Sequence, residues 1–144
     1  MTTSKIDMLY VYTDGAAKGN PGPAGIGVLL ADEAGETVEE CAEYIGKATN
    51  NVAEYKALMR GLELVAKYQP EELHIRSDSE LMVRQILGIY KVKNPGLQPL
   101  FKQVKLQLGQ FPKWEIKHVP RNENSLADGL ANQGIKKHNM ISGV

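Results

Sequence analysis

Four acidic residues stand where a predicted strand ends or a predicted helix begins, and such places can bring carboxylates together. Asp14 follows the apolar run 8–13, and Asp78 follows a short strand-like run at 73–76. Ligands of α/β sheets gather outside the carboxyl ends of strands, so both acids are expected at the same edge of a sheet. If these two strands are parallel neighbours, their carboxylates become near neighbours.

Glu54 and Asp128 belong to predicted helices but lean toward the same sheet. Glu54 lies in the first turn of a helix at 52–67, about 40° around the helix axis from the apolar Leu58. Asp128 stands two residues before Leu130 in the closing helix. Several facing acids repel one another unless cations neutralise them. Hard oxygen ligands, without a Cys cluster or a His pair, favour Mg²⁺ or Mn²⁺ over zinc.

Taken singly, each acid also has an ordinary structural explanation. Asp14-Gly15 is typical of a turn, Asp78 of a helix cap, and Glu54 of a first helical turn that the helix dipole favours. Asp128 is typical of a solvated helix residue. A metal site is therefore predicted from the four acids together, in the context of the elements that carry them.

The elements that must position these acids follow the order βββ-α-β-α-α-β-α. Hydrophobic periodicity and turn signals predict strands at 8–13, 25–30, 36–47, 73–76 and 114–119, and helices at 52–67, 77–87, 97–108 and 124–137. Asn50 and Asn51 suit the N-cap of the first helix, and Leu126, Leu130 and Ala131 are expected to face inward from the last. The pattern predicts an α/β fold: a five-stranded mixed sheet, three antiparallel strands then two parallel additions, flanked by about four helices.

Length and composition indicate one globular domain over residues 1–144, with a core at about 8–137 and a frayed tail at 138–144. The 17 basic and 17 acidic residues cancel, which argues against a partner held mainly by bulk charge. One cysteine, Cys41, excludes an intrachain disulfide and indicates a reducing compartment. There is no signal-peptide pattern and no apolar run long enough for a bilayer, so we expect a cytoplasmic protein without a membrane partner. Nothing in the sequence calls for an oligomer, and a monomer is expected.

Four segments, in this order, resemble the four conserved blocks of the type 1 ribonuclease H family. They are TDGAAKGNPGPAGIGVLL, TNNVAEYKALMRGLELV, IRSDSELMVRQI and HVPRNENSLADGLANQ, and the match runs from about residue 9 to residue 134. The last block is most similar to the short bacterial and archaeal branch of the family. The resemblance implies a ribonuclease H-like fold and an endoribonuclease that hydrolyses the RNA strand of RNA/DNA hybrids, leaving 5′-phosphate and 3′-hydroxyl ends.

The resemblance also implies roles for individual residues. The four acids become catalytic residues and ligands of two Mg²⁺ ions, for which Mn²⁺ can substitute. His118, ten residues before Asp128, takes the place of a catalytic histidine that shuttles a proton or assists product release. The hybrid-contacting positions fall on Gly15, Asn20, Asn50 and Asn51, and Thr49 matches a phosphate-pocket position.

Two departures from the family pattern keep other functions open. The segment 88–99 is short and carries only Lys91 and Lys93, where well-studied members insert a basic helical protrusion, so weaker hybrid binding with a shallower salt dependence is expected. Glu80 adds negative charge where many members have an amide. The alternatives are a catalytically weak or silent nucleic-acid-binding protein, a four-acid exonuclease or junction resolvase, and a metal-free structural protein. The four acids favour a nuclease, and GNPGPAG with Asn50-Asn51 favours hybrid recognition.

Overall fold

The structure of the protein, a computed structural model, describes residues 5–142, and for 138–142 it describes the backbone alone. The strands are β1 (Met8–Ala17), β2 (Gly22–Ala31), β3 (Thr37–Ala48), β4 (Glu72–Ser77) and β5 (Trp114–His118). The helices are α1 (Asn50–Ala66), α2 (Glu80–Ile86), α3 (Gln98–Leu108) and α4 (Ser125–Ser142), and a single 3-10 turn (Arg121–Glu123) precedes α4. The predicted α/β class and the order of elements are confirmed.

The strands form one sheet in the order β3-β2-β1-β4-β5. β1 pairs antiparallel with β2 and parallel with β4, β2 pairs antiparallel with β3, and β4 pairs parallel with β5. The prediction of three antiparallel strands followed by two parallel additions is therefore confirmed. β1 is the central strand and carries Asp14. Its parallel neighbour β4 ends at Ser77, directly before Asp78.

The predicted end of the first strand at residue 13 is wrong. Thr13 is the last residue of β1 that pairs with β4, opposite Ser77, but β1 continues to Ala17 as one arm of a hairpin with β2. Asp14 lies inside the strand, opposite Gly27. Because the parallel neighbour ends one residue earlier, Asp14 still opens onto the space beyond β4.

The helices cover the two faces of the sheet unequally. On β2, Val28 faces α1, whereas its neighbour Gly27 faces α4, as expected for successive residues of a strand. The main core lies between α1, α2, α3 and the sheet and includes the fully buried Leu9, Val11, Leu58, Leu62, Leu73 and Ile75. α4 packs on β2 and β3, with fewer contacts to β1, so the outer face of β4 and β5 has no helix over it among the described residues.

The inward face of α4 differs from the prediction. Leu126 was expected to face inward, but 66% of its surface is exposed, whereas Ala127 and Ala131 are fully buried. A Cβ atom on Gly27 would lie 2.2 Å from the Ala127 carbonyl oxygen, so the helix rests directly on the strand backbone. The prediction is wrong for Leu126, because such close packing selects small side chains, but it is confirmed for Ala131, and Leu130 is half-buried beside Gly27.

Several helix boundaries also differ from the prediction, and α2 begins at Glu80, after the capping Ser79, and not at residue 77. Thr49 caps α1, because its Oγ1 accepts a hydrogen bond from the Val52 amide at 3.2 Å, and Asn50 is already helical. The predicted cap at Asn50 and Asn51 is therefore wrong by one position. α4 continues past residue 137 to Ser142 in its backbone, and residues 143–144 of the expected frayed tail lie outside the described residues. Within the described part of the chain, no helix has both the length and the apolar character needed to cross a bilayer.

Candidate active site

Three of the four predicted acids converge at the edge of the sheet where β4 ends. One carboxylate oxygen from each of Asp14, Glu54 and Asp78 lies within 4.8 Å of the other two. Asp14 comes from β1, and Asp78 is the residue after β4. Glu54 is the fifth residue of α1, just past the first turn in which it was predicted, because the helix begins at Asn50. Asp14 is 4% exposed, so its carboxylate is nearly withdrawn from water.

Glu54 reaches this cluster because α1 approaches β1 unusually closely. A Cβ atom on Gly15 would lie 2.2 Å from the Ala53 carbonyl carbon, so only glycine fits beneath the first turn of the helix. The Gly15 amide then donates a hydrogen bond to Glu54 Oε1 at 3.1 Å. Gly15 was predicted to contact substrate, and the structure shows that its missing side chain also serves the packing of α1.

Asp128 joins the cluster from the opposite face of the sheet, in the first turn of α4. Its side chain lies close enough to Asp14 to help raise the pKa of that carboxyl group, although it does not belong to the group of three within 4.8 Å. Arg121 Nη2 lies 3.6 Å from Asp128 Oδ1, and this arginine is 80% exposed. The structure thus brings all four predicted acids to one place, with Asp14 at its centre.

Burial and mutual repulsion change how the central acids ionise. Desolvation, followed by the charges of Glu54 and Asp78 and the contact with Asp128, raises the pKa of Asp14 to about 10. Desolvation and the charge of Asp78 raise the pKa of Glu54 to about 8, even though the Gly15 amide favours its ionised form. Because ionised Asp14 and Glu54 have no cationic side chain bonded to them among the described residues, a bound divalent cation would relieve the repulsion.

The acids lie in an open groove of about 570 Å³. Its lining residues are Asp14, Gly15, Ala16, Ala17, Lys18, Asn50, Glu54, Asp78, Arg121, Asp128 and Asn132. Sequence reasoning did not single out Lys18, Arg121 or Asn132. All three stand inside the quoted motifs, close to Gly15 or Asp128, and proximity to the predicted acids was the signal that could have found them.

Two of the predicted substrate-contacting asparagines are linked by hydrogen bonds, and of these Asn50 lines the groove whereas Asn20 does not. The backbone amide of Asn50 donates to Asn20 Oδ1 at 3.0 Å, and the backbone amide of Ala17 donates to Asn50 Oδ1 at 3.1 Å. These hydrogen bonds tie the β1–β2 hairpin to the start of α1. Asn51 is exposed in the first turn of α1 and, like Thr49, does not line the groove.

Two other charged residues lie apart from the acids. His118 is the exposed last residue of β5, opposite Ser77 in the register with β4, and it does not line the groove. Glu80 forms an ion pair with Arg84 at 2.9 Å one turn along α2. The negative charge that Glu80 was expected to add to the site is therefore directed toward a cation of the same helix.

Comparison with known proteins agrees with this fold. The sequence profile described as reverse transcriptase-like matches residues 12–134. The ribonuclease HI of Halobacterium salinarum is 40% identical over 127 residues, which cover 88% of this chain and 64% of that protein. The ribonuclease H of Thiobacillus denitrificans is 35% identical over 143 residues, which cover 90% of this chain and 94% of that protein.

Two solved structures are similar over nearly their whole length. The crystal structure of ribonuclease H1 from Halobacterium salinarum superimposes with a TM-score of 0.88 at 39% identity, covering 90% of this chain and 98% of that one. The structure of LC11-RNase H1 in complex with an RNA/DNA hybrid gives a TM-score of 0.87 at 46% identity, with the same coverage of 90% and 98%. The chain belongs to the type 1 ribonuclease H family.

Proposed function

We propose that the protein is a metal-dependent endoribonuclease that hydrolyses the RNA strand of RNA/DNA hybrids and leaves 5′-phosphate and 3′-hydroxyl ends. The observation that carries the proposal is the convergence of Asp14, Glu54 and Asp78 within 4.8 Å in an open groove. A relative at 46% identity was solved with an RNA/DNA hybrid, which supports the same substrate class for this chain.

The donor set fits hard divalent cations. The site offers carboxylate oxygens, the ligands that Mg²⁺ and Mn²⁺ prefer. Burial, followed by the charges of the neighbouring acids, raises the pKa values of Asp14 and Glu54, so a bound cation would favour their ionised forms. We propose that the four acids, including Asp128, hold two Mg²⁺ ions, with Mn²⁺ as a substitute. When bound, such ions activate water and stabilise the charge that develops on a phosphodiester.

The chain's own residues would position the substrate around these ions. Asn20 and Asn50 use their side-chain oxygens within the protein, so their NH₂ groups are left to donate to a ligand. Amide donors suit the 2′-hydroxyls and base edges that a protein meets in the minor groove of a hybrid. Asn51 is exposed beside them, and Thr49 is proposed as a phosphate contact in addition to its role as helix cap.

His118 completes the proposed machinery as a proton carrier or an aid to product release. It stands on β5 in register with Ser77, the residue before Asp78, and its exposure leaves the imidazole free to approach a bound duplex. We further propose a cytoplasmic monomer, since the single cysteine supports a reducing compartment and nothing in the sequence calls for an oligomer.

The proposal is tested by incubating the purified protein with end-labelled RNA/DNA, RNA/RNA and DNA/DNA duplexes of one sequence, with Mg²⁺, with Mn²⁺ and with a chelator. We expect internal cuts in the RNA strand of the hybrid only when a metal is present. Hybrid binding without cleavage would instead support the silent binding protein, and cleavage of DNA/DNA would support an exonuclease or resolvase. An Asp78→Asn variant, assayed in parallel, excludes a contaminating nuclease.

A further inference from the structure

Asn124 forms a buried hydrogen bond that neither the proposed chemistry nor the core packing requires. It lies between the 3-10 turn and α4, and only 1% of its surface is exposed. Its Nδ2 donates to the carbonyl oxygen of Thr13 at 2.9 Å, across 111 residues of sequence. The bond therefore joins the start of α4 directly to the central strand.

Both ends of this bond stand next to metal-binding candidates. Thr13 immediately precedes Asp14 and is the last residue of β1 paired with β4. At the other end, the carbonyl oxygen of Asn124 accepts a hydrogen bond from the backbone amide of Asp128 at 3.0 Å, so Asn124 begins the helical turn that carries Asp128. A single side chain thus connects the peptide before one carboxylate to the turn that holds the other.

Near the acids, the rest of the interface gives α4 little directional restraint, because the hydrogen bond from Lys137 Nζ to the Ala42 carbonyl oxygen at 2.8 Å lies farther along the helix. Ala127 and Ala131 rest on a strip of β2 where glycines offer no side chains to lock against, and such a contact resists separation better than it resists sliding. The ion pair between Arg121 and Asp128 spans 3.6 Å and is largely exposed, so it is a weak restraint. The hydrogen bond of Asn124 is the directional contact at this end of the helix.

The two polar atoms of the Asn124 side chain have different surroundings. Nδ2 donates to the Thr13 carbonyl oxygen, whereas Oδ1 is buried and has no hydrogen-bond partner among the described residues. The unpaired acceptor carries a desolvation cost that offsets part of the stability gained from the donated bond. The distinctive feature of the donated bond is therefore its position between the two acids.

We propose that Asn124 is a positioning residue that sets the separation of the Asp14 and Asp128 carboxylates and thereby the affinity of the site for divalent cations. The inference rests on the proposed function, since it concerns the metal site of that nuclease. Its readout, metal affinity, can nevertheless be measured without any cleavage assay.

The test compares Asn124→Ala with Gln107→Ala. Gln107 is a close control: its Nε2 also donates to a backbone carbonyl, that of Met59 at 3.0 Å, and its Oε1 is also buried without a partner among the described residues. Gln107 joins α3 to α1, and it does not line the groove. Both variants lose a buried side-chain amide, but only Asn124→Ala loses the hydrogen bond to Thr13 beside the acids.

Mn²⁺ affinity is measured from the rise of the melting temperature on titration of the metal-free protein, and kcat and KM are measured on the hybrid. We expect both variants to melt at a similarly lower temperature without metal. Asn124→Ala should weaken Mn²⁺ affinity roughly 10- to 100-fold and lower kcat by a similar factor, the usual effect of losing an outer-shell partner, with KM changed less than about threefold. Gln107→Ala should keep the wild-type metal affinity and kcat.

Wild-type metal affinity and kcat in Asn124→Ala would overturn the proposal, and so would equal losses of metal affinity in both variants, since these would indicate general loosening. If Asn124→Ala does not fold, Asn124→Ser serves in its place, because serine keeps a helix-capping hydroxyl but is too short to reach Thr13. If the wild-type protein binds Mn²⁺ but cuts no hybrid, the proposed function fails while the Mn²⁺ titration still decides the role of Asn124.

Discussion

Two groups of carboxylates lie on, or at the ends of, neighbouring strands of this protein and have opposite surroundings. The first is the candidate active site around Asp14 and Asp78. The second, here called the open-face cluster, consists of Tyr10, Glu72, His74, Arg76 and Glu115 on the outer face of the sheet, where no helix covers β4 and β5 among the described residues. Both groups crowd acids beside one another on neighbouring strands.

In the open-face cluster each acid has a cationic or hydrogen-bonding partner. The two ring nitrogens of His74 face carboxylate oxygens of Glu115 and Glu72, and Arg76 Nη1 donates to Glu115 at 2.7 Å. The His74 ring stacks on Tyr10 with centroids 4.6 Å apart. Burial of Glu115 acts to raise its pKa, but the hydrogen bonds from His74 and Arg76 outweigh burial and lower the pKa below its ordinary value.

At the active site four acids converge, and fewer cationic side chains than acids line the groove. The pKa values of Asp14 and Glu54 rise to about 10 and about 8, in the opposite direction to that of Glu115. Where carboxylates serve the stability of the fold, the chain provides their counter-ions. Where it leaves them to repel one another, they are arranged for a cation from outside.

The comparison is tested most strongly by Asp14→Asn, which should lower hybrid cleavage more than roughly 100-fold because it removes the central ligand of the site. Glu115→Gln should stay within about twofold of wild type, since Glu115 belongs to the open-face cluster. Initial rates at saturating Mg²⁺ provide the measurement. Residual activity of Asp14→Asn above a tenth of wild type would remove Asp14 from its central role.

The histidines of the two groups should differ as well. His74 is held between two carboxylates, whereas His118 is exposed at the end of β5. We expect His118→Ala to reduce kcat roughly 10- to 100-fold and to change the dependence of kcat on pH between 6 and 8, because a proton carrier acts through its own titration. The exposed neighbour Lys117 provides the control variant, Lys117→Ala. A pH profile that His118→Ala leaves unaltered would exclude His118 from proton transfer.

Repulsion at the active site should reduce the stability of the metal-free protein. The folded pKa of Asp14 lies above its ordinary value, so its contribution is most favourable below about pH 4 and is lost as the pH rises toward about 10. Asparagine has no carboxyl group to ionise, so Asp14→Asn avoids this loss of stability at high pH. The variant should raise the free energy of unfolding at pH 8 by roughly 1–3 kcal/mol, the usual scale of one substitution.

Urea unfolding with a chelator at pH 5 and pH 8 measures this effect, and the gain should be smaller at pH 5. Added Mg²⁺ should stabilise wild type more than Asp14→Asn. If the variant were less stable than wild type at both pH values, the carboxylates would not be in conflict, and the contrast with the open-face cluster would disappear.

Glu115→Gln should have the smallest effect and the opposite dependence on pH. Its folded pKa is lowered, so its ion pairs contribute above about pH 4.5 and are lost as the pH falls through the folded value. Because Glu115 is partly exposed, the expected loss of stability is only about 1 kcal/mol at pH 7, and it should diminish toward pH 3. A loss that persists undiminished at pH 3 would indicate that packing, and not the ion pairs, is the source.

The sequence predicted the type and order of the elements well because each depends on periodicity within one segment. It failed where two segments set the outcome together. β1 extends past residue 13 because β2 pairs with it to Ala17, and α4 buries Ala127 instead of Leu126 because glycines on β2 admit a closely packed helix. A local pattern records how apolar a segment is, but not how near its partner will lie.

For the candidate site, too, the sequence determined some features and the tertiary structure decided others. The residue types and their motifs, readable from the sequence, determined that Asp14, Glu54, Asp78 and Asp128 were candidates for one metal site. Only the tertiary structure decided that three of them meet within 4.8 Å, that Gly15 must lack a side chain for Glu54 to reach them, and that Asn124 ties α4 to the central strand. These features arise between segments 39 to 111 residues apart, and no short-range pattern encodes such contacts because they exist only after the chain has packed.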